Sequence, residues 1–278
     1  MLLKKSLDFG SYQNITYANG RVTFGKISLN VFCFIVDGVL IDTGSRSLSK
    51  QLETFLLNAD VDQVMITLIH EDHTGCASII QQKRNIPIYI HKITVKECEQ
   101  NPDYPIYRKA FWGKRKAFKA DAIGDTFNSR NAKWDAIETP GHSKDHLAYL
   151  NRETGQLFSG DLYVQTKTKV ILREEKIPTI IRSIEHLLTY DFDEVYCSHG
   201  GFIKEGRKKL EDKRDYLTDI QQQVTTLYLE GQSPQQIHES LFKRKYPITK
   251  ISGGEWDSIH IVTSIIDEIE SLEEIKSH

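Results

Sequence analysis

The segment Val64-Met-Ile-Thr-Leu-Ile-His-Glu-Asp-His73 decides the fold. Val64 to Ile69 is a short apolar run with β-branched members, the pattern of a buried strand. It ends in two imidazoles and two carboxylates packed into four positions, and Thr74-Gly75 then opens the next helix. Polar groups crowded at a strand end suit metal ligation, but they also suit a helix cap with salt bridges. The cluster alone leaves both open.

Three further strand ends repeat the pattern. Thr139-Pro-Gly-His142-Ser-Lys-Asp-His146 places an imidazole after a Pro-Gly turn, Phe158-Ser-Gly-Asp161 places a carboxylate, and Cys197-Ser-His199-Gly-Gly places another imidazole. Glycines beside them let backbones approach closely. Neutral imidazole with carboxylate is the donor set that borderline divalent cations prefer. A purely structural explanation needs four independent coincidences.

Around these motifs the chain alternates loosely between strands and helices. Strands are expected at Arg21–Leu29 and Val31–Val36, with Asp37-Gly38 as a hairpin turn before Val39–Ile41. Ser47–Leu57 reads as an amphipathic helix, and Pro87–Ile90, Trp134–Glu138, Leu147–Leu150, Gln156–Ser159 and Glu194–Cys197 as strands, with a helix at Pro178–Leu188. That order fits a layered α/β sandwich better than an all-parallel sheet. After Phe202 the character changes. Lys204–Glu230 is charged, with Leu210, Tyr216, Ile220, Val224 and Leu227 at helical spacing; Ser233-Pro234 starts a second helix, and a third is expected over Glu255–Glu270. The expected division is a catalytic domain over 1–202 and a helical region over 203–278.

Bulk properties narrow the function classes. A formal net charge of −2 argues against nucleic-acid binding by overall electrostatics. No stretch approaches the ~18 apolar residues of a membrane span. The opening Met1-Leu-Leu-Lys-Lys lacks the apolar run of a signal peptide. Cys33, Cys76, Cys98 and Cys197 show no C-x-x-C spacing, so they read as isolated reduced thiols in a cytoplasmic protein.

In order, Asp42-Thr-Gly, the His70-x-Asp72-His73-x-Gly cluster, Thr-Pro-Gly-His142, Ser-Gly-Asp161 and Ser-His199-Gly resemble the metallo-β-lactamase superfamily over roughly residues 20–202. The resemblance implies a four-layer αββα sandwich with a small helical C-terminal appendage, similar to the winged-helix-like tail of one branch. It also implies a binuclear zinc site, with manganese or iron as alternatives: His70 and His142 on a first metal, Asp72, His73 and His199 on a second, and Asp161 bridging. Asp72 is both ligand and candidate catalytic carboxylate. Between two metals, water loses a proton near neutral pH and becomes a nucleophile.

Leu68 departs from the superfamily's His-x-His-x-Asp-His pattern, replacing its first histidine. The first metal is left one ligand short. Three readings follow: both metals bind, the first more weakly; only the second binds; or the protein is catalytically impaired.

Asp42 and His146 are candidates for a supporting role behind the ligands or for substrate contact. Asp42 reads equally as a turn former, His146 as a stabiliser of the following strand, and Glu71 as a solvated carboxylate. Residues 101–120 form a basic, aromatic insertion; Tyr107–Lys119 carries six cationic side chains and no acid. Tyr107, Arg108, Trp112 and Lys114 are its candidates for contacting a small, anionic substrate at the active-site mouth, although a solvated basic helix pair explains it too. Gly253-Gly-Glu-Trp256 is a candidate for the same mouth. The expected activity is metal-dependent hydrolysis of a small ester, thioester or lactone. The alternatives are a metal-dependent endoribonuclease, with the basic segment steering the strand, and a non-catalytic binding protein on the same scaffold.

Overall fold

In the computed structural model, residues 3–277 are described; Met1 and Leu2, at the head of the leader reading, and His278 lie outside them. The first sheet has seven strands in sequence order: β1 (Lys4–Tyr12), β2 (Ile15–Phe24), β3 (Ile27–Val36), β4 (Val39–Ile41), β5 (Gln63–Met65), β6 (Ile88–Ile90) and β7 (Asp121–Ala122). Hairpins join β1 to β4, and β4 to β7 run parallel. Asp37 and Gly38 both have positive φ, as the two-residue hairpin turn expected there requires.

The second sheet contains β8 (Thr126–Asn128), β9 (Lys133–Glu138), β10 (Leu147–Asn151) and β11 (Gln156–Gly160). After β12 (Ile171–Leu172), which stands apart, it continues with β13 (Glu194–Cys197) and β14 (Gly201–Ile203), in the order β14-β13-β11-β10-β9-β8. A last short strand, β15 (Trp256–Asp257), pairs with β12.

Strand alternation sorts the apolar side chains into layers. Ile41, Tyr149, Phe158 and Tyr196 share the core between the sheets with Phe34, Met65 and Trp134. Their neighbours Leu40, Leu150, Leu157 and Val195 face outward. Leu40 meets helices α1 (Ser49–Asn58) and, past α2 (Glu71–Thr74), α3 (Ala77–Arg84); beyond α4 (Val95–Cys98), α5 (Ile106–Trp112) joins the same cluster. Leu150, Leu157 and Val195 meet α6 (Ile177–Leu187), α7 (Gly206–Leu229), α8 (Pro234–Leu241) and, after α9 (Pro247–Ile251), α10 (Ile259–Ser277). This is the αββα sandwich. The C-terminal helices share one apolar cluster with the second sheet, and Ser233 caps α8 through a capping box with Gln236.

Three expectations need correction. Arg21–Leu29 is not one strand, because Gly25 turns the chain at φ +61° and separates β2 from β3. The last helix starts at Ile259, because Trp256–Asp257 is used in pairing with β12. The insertion is not a helix pair: one short helix, α5, is followed by irregular chain.

Candidate metal centre

The chemistry-bearing motifs leave the sheets along one rim. Asp42 follows β4, the His70–His73 loop follows β5, His142 follows β9, His146 precedes β10, Asp161 follows β11, and His199 follows β13. Gly75 admits the backbone contact that closes the loop: a Cβ there would lie 2.3 Å from the Arg46 amide nitrogen and 2.6 Å from the Glu71 carbonyl. Gly160, at φ +50°, leaves room for His146, whose Nε2 a Cβ would meet at 2.5 Å.

Asp161 is the hub. Its Oδ2 lies 3.3 Å from His73 Nε2, 3.2 Å from His142 Nε2 and 3.0 Å from His199 Nε2. Asp72 reaches the same place, with Oδ2 3.5 Å from His199 Nε2 and Oδ1 3.9 Å from His73 Nε2. Two ligands ~2.0–2.1 Å from one tetrahedral cation stand ~3.3–3.4 Å apart, so most of these spacings are compatible with donors sharing an ion as well as with charged hydrogen bonds. His73 Nε2, His142 Nε2 and Asp161 Oδ1 are buried without a hydrogen-bond partner, as metal-directed atoms are. Asp72, His73 and His199 form a set of donors mutually within 4.8 Å. The residues present fit a divalent cation at the second position.

The first position is less complete. Leu68 is fully buried and contributes no donor. His70 and His142 stack edge to face at 5.0 Å, and each has a carboxylate on one ring nitrogen: Glu174 Oε1 is 3.2 Å from His70 Nε2, and Glu175 Oε2 is 3.1 Å from His142 Nδ1.

Supporting side chains aim the imidazoles. Asp42 is fully buried and accepts from Thr67 N at 2.9 Å, Thr67 Oγ1 at 2.8 Å, His73 Nδ1 at 2.8 Å and Ser198 Oγ at 3.2 Å. The bond to Nδ1 turns His73 Nε2 toward Asp161. His199 donates from Nδ1 to the Asn30 carbonyl, which leaves its Nε2 for the centre. His146 Nε2 accepts the Asp161 amide proton at 2.9 Å, so its Nδ1 carries the hydrogen and donates to Thr139 Oγ1 at 2.7 Å. Burial, with His142 nearby, pushes its pKa down to about 3. Asp42 and His146 therefore stand behind the Asp161 cluster, and neither lines the adjoining cavity. Asp145 holds the metal loop from outside, accepting from the Ile69 amide and from Thr94.

Charge balances inside the cluster. Burial opposes protonation of His73 and His199, but Asp161 and its carboxylate neighbours outweigh it and raise both pKa values. Burial works against the Asp161 anion, yet His199 and His73 hold its pKa well below the usual carboxylate range. A cation that enters displaces those protons.

His70, Asp72, His142, Asp161 and His199 line part of a cavity of about 380 Å³. Its other walls are mainly apolar: Leu162, Val164 and Val170 from the loop after β11, Ile171 and Leu172 of β12, and Phe111 of α5. Tyr107, Arg108 and Trp112 line it as expected, Trp112 stacking on His199, and Trp256 joins them. Lys114 is exposed and does not line it. Arg108 is not free for an anion, since it forks onto both oxygens of Glu71 at 2.7 and 2.6 Å. Glu71 is accordingly buried, not solvated. Arg115 is buried against backbone carbonyls and Lys109 pairs with Asp103, so the insertion offers no unbroken basic face. The motif reading missed Glu174, Glu175, Asn30 and Lys213. Lys213 is buried in the cavity wall, donates to the Leu162 and Tyr163 carbonyls at 2.8 and 2.6 Å, and is lowered by burial to about 8. It had a signal, a lysine on the apolar stripe of α7 between Leu210 and Leu217.

Known proteins share the fold. The family model described as the metallo-β-lactamase superfamily matches residues 29–199, and the chain belongs to that superfamily. An atrochrysone carboxyl ACP thioesterase of Passalora fulva is 25% identical over 74% of this chain and 58% of its own length. A thioesterase of Emericella nidulans is 31% identical over 44% of this chain and 32% of its own. The first of these matches spans little more than half of its relative, and the second about a third. Among solved structures, a metallo-β-lactamase from Pontibacter korlensis superposes with a TM-score of 0.62 at 19% identity, covering 77% of this chain and 99% of that one. A metallo-β-lactamase family protein of Thermus thermophilus has the same score at 16% identity over 99% of this chain and 94% of that one, so the shared fold extends through the C-terminal helices.

Proposed function

We propose that this protein is a metal-dependent hydrolase of acyl thioesters whose acyl group is apolar. The observation that carries the reading is the single cavity in which Asp72, His142, Asp161 and His199 face Trp112, Val170, Ile171 and Trp256. Pockets of this kind hold a ligand by apolar walls and orient it by a few polar groups. Thioesterases among the relatives support the class.

Asp72, His73, His199 and Asp161 would hold the second cation, and His70, His142 and Asp161 a weaker first one. Zinc suits the donors best, with manganese or iron as alternatives. When bound, such an ion supplies Lewis acidity toward a carbonyl and acidifies water. The chain itself supplies the rest. Asp42 and Asn30 keep two Nε2 atoms aimed inward, His146 fixes the Asp161 backbone, and the apolar wall excludes water from the acyl group. Arg108 and Lys213 are engaged internally, so the acyl group need not be anionic. No helix among the described residues is long and apolar enough to cross a membrane. Four free, buried thiols suit a reducing compartment, and we place the protein in the cytoplasm on that ground.

The test is thiol release from acyl thioesters of graded chain length by zinc-loaded protein. Turnover that Asp161→Ala reduces by at least ~100-fold is expected, on the scale of a lost electrostatic contact in the transition state. Absence of turnover across the whole series by zinc-replete, folded protein refutes the reading.

A further inference from the structure

Glu71 sits between two candidate ligands, His70 and Asp72, in the first turn of α2. Its side chain is only 3% exposed, and Arg108 of the insertion meets both of its oxygens in a parallel fork. The remaining guanidinium nitrogen, Nη1, reaches Glu255 Oε1 at 3.3 Å, at the threshold of β15. One planar group thus joins three stretches far apart in sequence: the metal loop, the insertion helix and the C-terminal region. Residues adjoining the two carboxylates, His70 and Trp256, line the same cavity as Arg108.

We infer that Arg108 is a positioning residue that sets the geometry of the metal loop and couples it to the C-terminal segment. Bidentate pairing fixes the orientation of Glu71 as well as its position, which a point charge cannot do. With Glu71 held, the backbone carrying His70 and Asp72 is held on both sides. Asp145 on the Ile69 amide anchors the loop's entry, and Thr74 Oγ1 on the Ile69 and His70 carbonyls closes it. The C-terminal region, outside the matched family segment, becomes part of the support of the site. This inference rests on the metal-centre reading above.

The test measures zinc affinity, not turnover, by competition with a chromophoric chelator on the full chain. Arg108→Lys keeps the charge and loses the fork, whereas Glu71→Gln keeps the shape and loses the charge. Each is expected to weaken zinc binding by ~10–100-fold, the scale for partners behind metal ligands. The double variant should lose no more than the weaker-binding single, because both remove one contact. Glu255→Gln leaves the fork on Glu71 intact and should weaken zinc binding by a few-fold, reporting the C-terminal link alone. A merely structural Arg108 lowers the melting temperature while zinc affinity of the folded protein stays within twofold of wild type; that result overturns the inference, as do additive losses in the double variant. If Arg108→Lys fails to fold, Glu71→Gln and Glu255→Gln decide it by the same criteria. Failure of wild type to bind zinc sinks the metal reading itself, a different outcome from equal binding by wild type and variants.

Discussion

Asp42→Asn separates orientation of a ligand from the ligand itself. Asp42 lies in left-handed backbone at φ +58°, where asparagine is tolerated at least as well as aspartate, so the exchange leaves the turn unstrained; alanine would not. The carboxylate accepts from Thr67 N on one oxygen and from Thr67 Oγ1, His73 Nδ1 and Ser198 Oγ on the other. An amide can satisfy only one side. With its NH2 toward His73, two donors face each other at 2.8 Å unless the imidazole gives up its Nδ1 hydrogen and keeps its one hydrogen on Nε2, the atom facing Asp161. With the amide reversed, the clash moves to the Thr67 backbone, which has no second tautomer. The cost is one charge-assisted bond, ~1.5–3 kcal/mol, plus one buried unpaired donor, ~1–3 kcal/mol, so about 2.5–6 kcal/mol altogether. In a chain of this size that lowers the melting temperature of zinc-free protein by on the order of 10 °C. Zinc affinity should fall by ~10–100-fold, because His73 then presents N–H to the ion. Calorimetric melting and chelator competition measure the two effects. A melting temperature within about 1 °C of wild type, together with unchanged zinc affinity, refutes the hydrogen-bond assignment.

Other perturbations test other parts. Trp256→Ala opens the cavity wall and should move the preferred acyl chain toward longer substrates, with kcat/KM ratios between neighbouring lengths changing by ~10-fold or more; a uniform loss across lengths contradicts a role for Trp256 in selection. Leu68→His offers the first position its missing imidazole and should raise zinc per chain toward two wherever wild type holds fewer, by elemental analysis after dialysis; an unchanged ratio starting from one shows that packing closes that position. Burial pushes Cys76 and Cys98 up to about 12, so both stay protonated in the fold while an unfolded chain ionises them from ~8.5. Their contribution to stability is complete below that pH and is lost as pH rises toward 12, so denaturant midpoints of Cys76→Ala and Cys98→Ala should fall less steeply above pH 9 than wild type; native thiols that alkylate at pH 8 as fast as free cysteine argue against that burial.

What was legible in the sequence was local. Each strand-end motif carries its donor within a few residues of a glycine and an apolar run, so several strands and the donors at their ends follow from short patterns, while the central place of Asp161 was implied only by the family resemblance. Phe34, Tyr149, Phe158 and Tyr196 face the inter-sheet core as strand alternation predicts. What escaped depends on partners remote in sequence. Glu71 reads as solvated because its neighbours are polar, and its partner Arg108 lies 37 positions away. Arg108 reads as a substrate contact for the same reason, and Glu255 is 147 positions further on. β1 gave no apolar pattern because it is a largely exposed edge strand paired only with β2. The basic run over Tyr107–Lys119 suggested one charged face, but folding sends Arg115 inward and ties Lys109 to Asp103.

The two halves of the centre differ in a way that sets the order of events. At the second position His73 is held by Asp42, His199 by the Asn30 carbonyl and the Asp161 backbone by His146, so an ion arriving there would meet donors already aimed. At the first, Leu68 removes one donor, and Glu174 competes for His70 Nε2. An ion there must displace that contact and still lacks a ligand. On the metal-centre reading the second position therefore fills first, and the protein at limiting zinc carries one ion beside a carboxylate-paired histidine couple. The two carboxylates act differently: Glu174 already occupies His70 Nε2, whereas Glu175 takes His142 Nδ1 and leaves its Nε2 facing the centre. The absence of a donor at Leu68 thus unbalances the site without dismantling it: His142 keeps Glu175 as a partner whether or not a first ion is present.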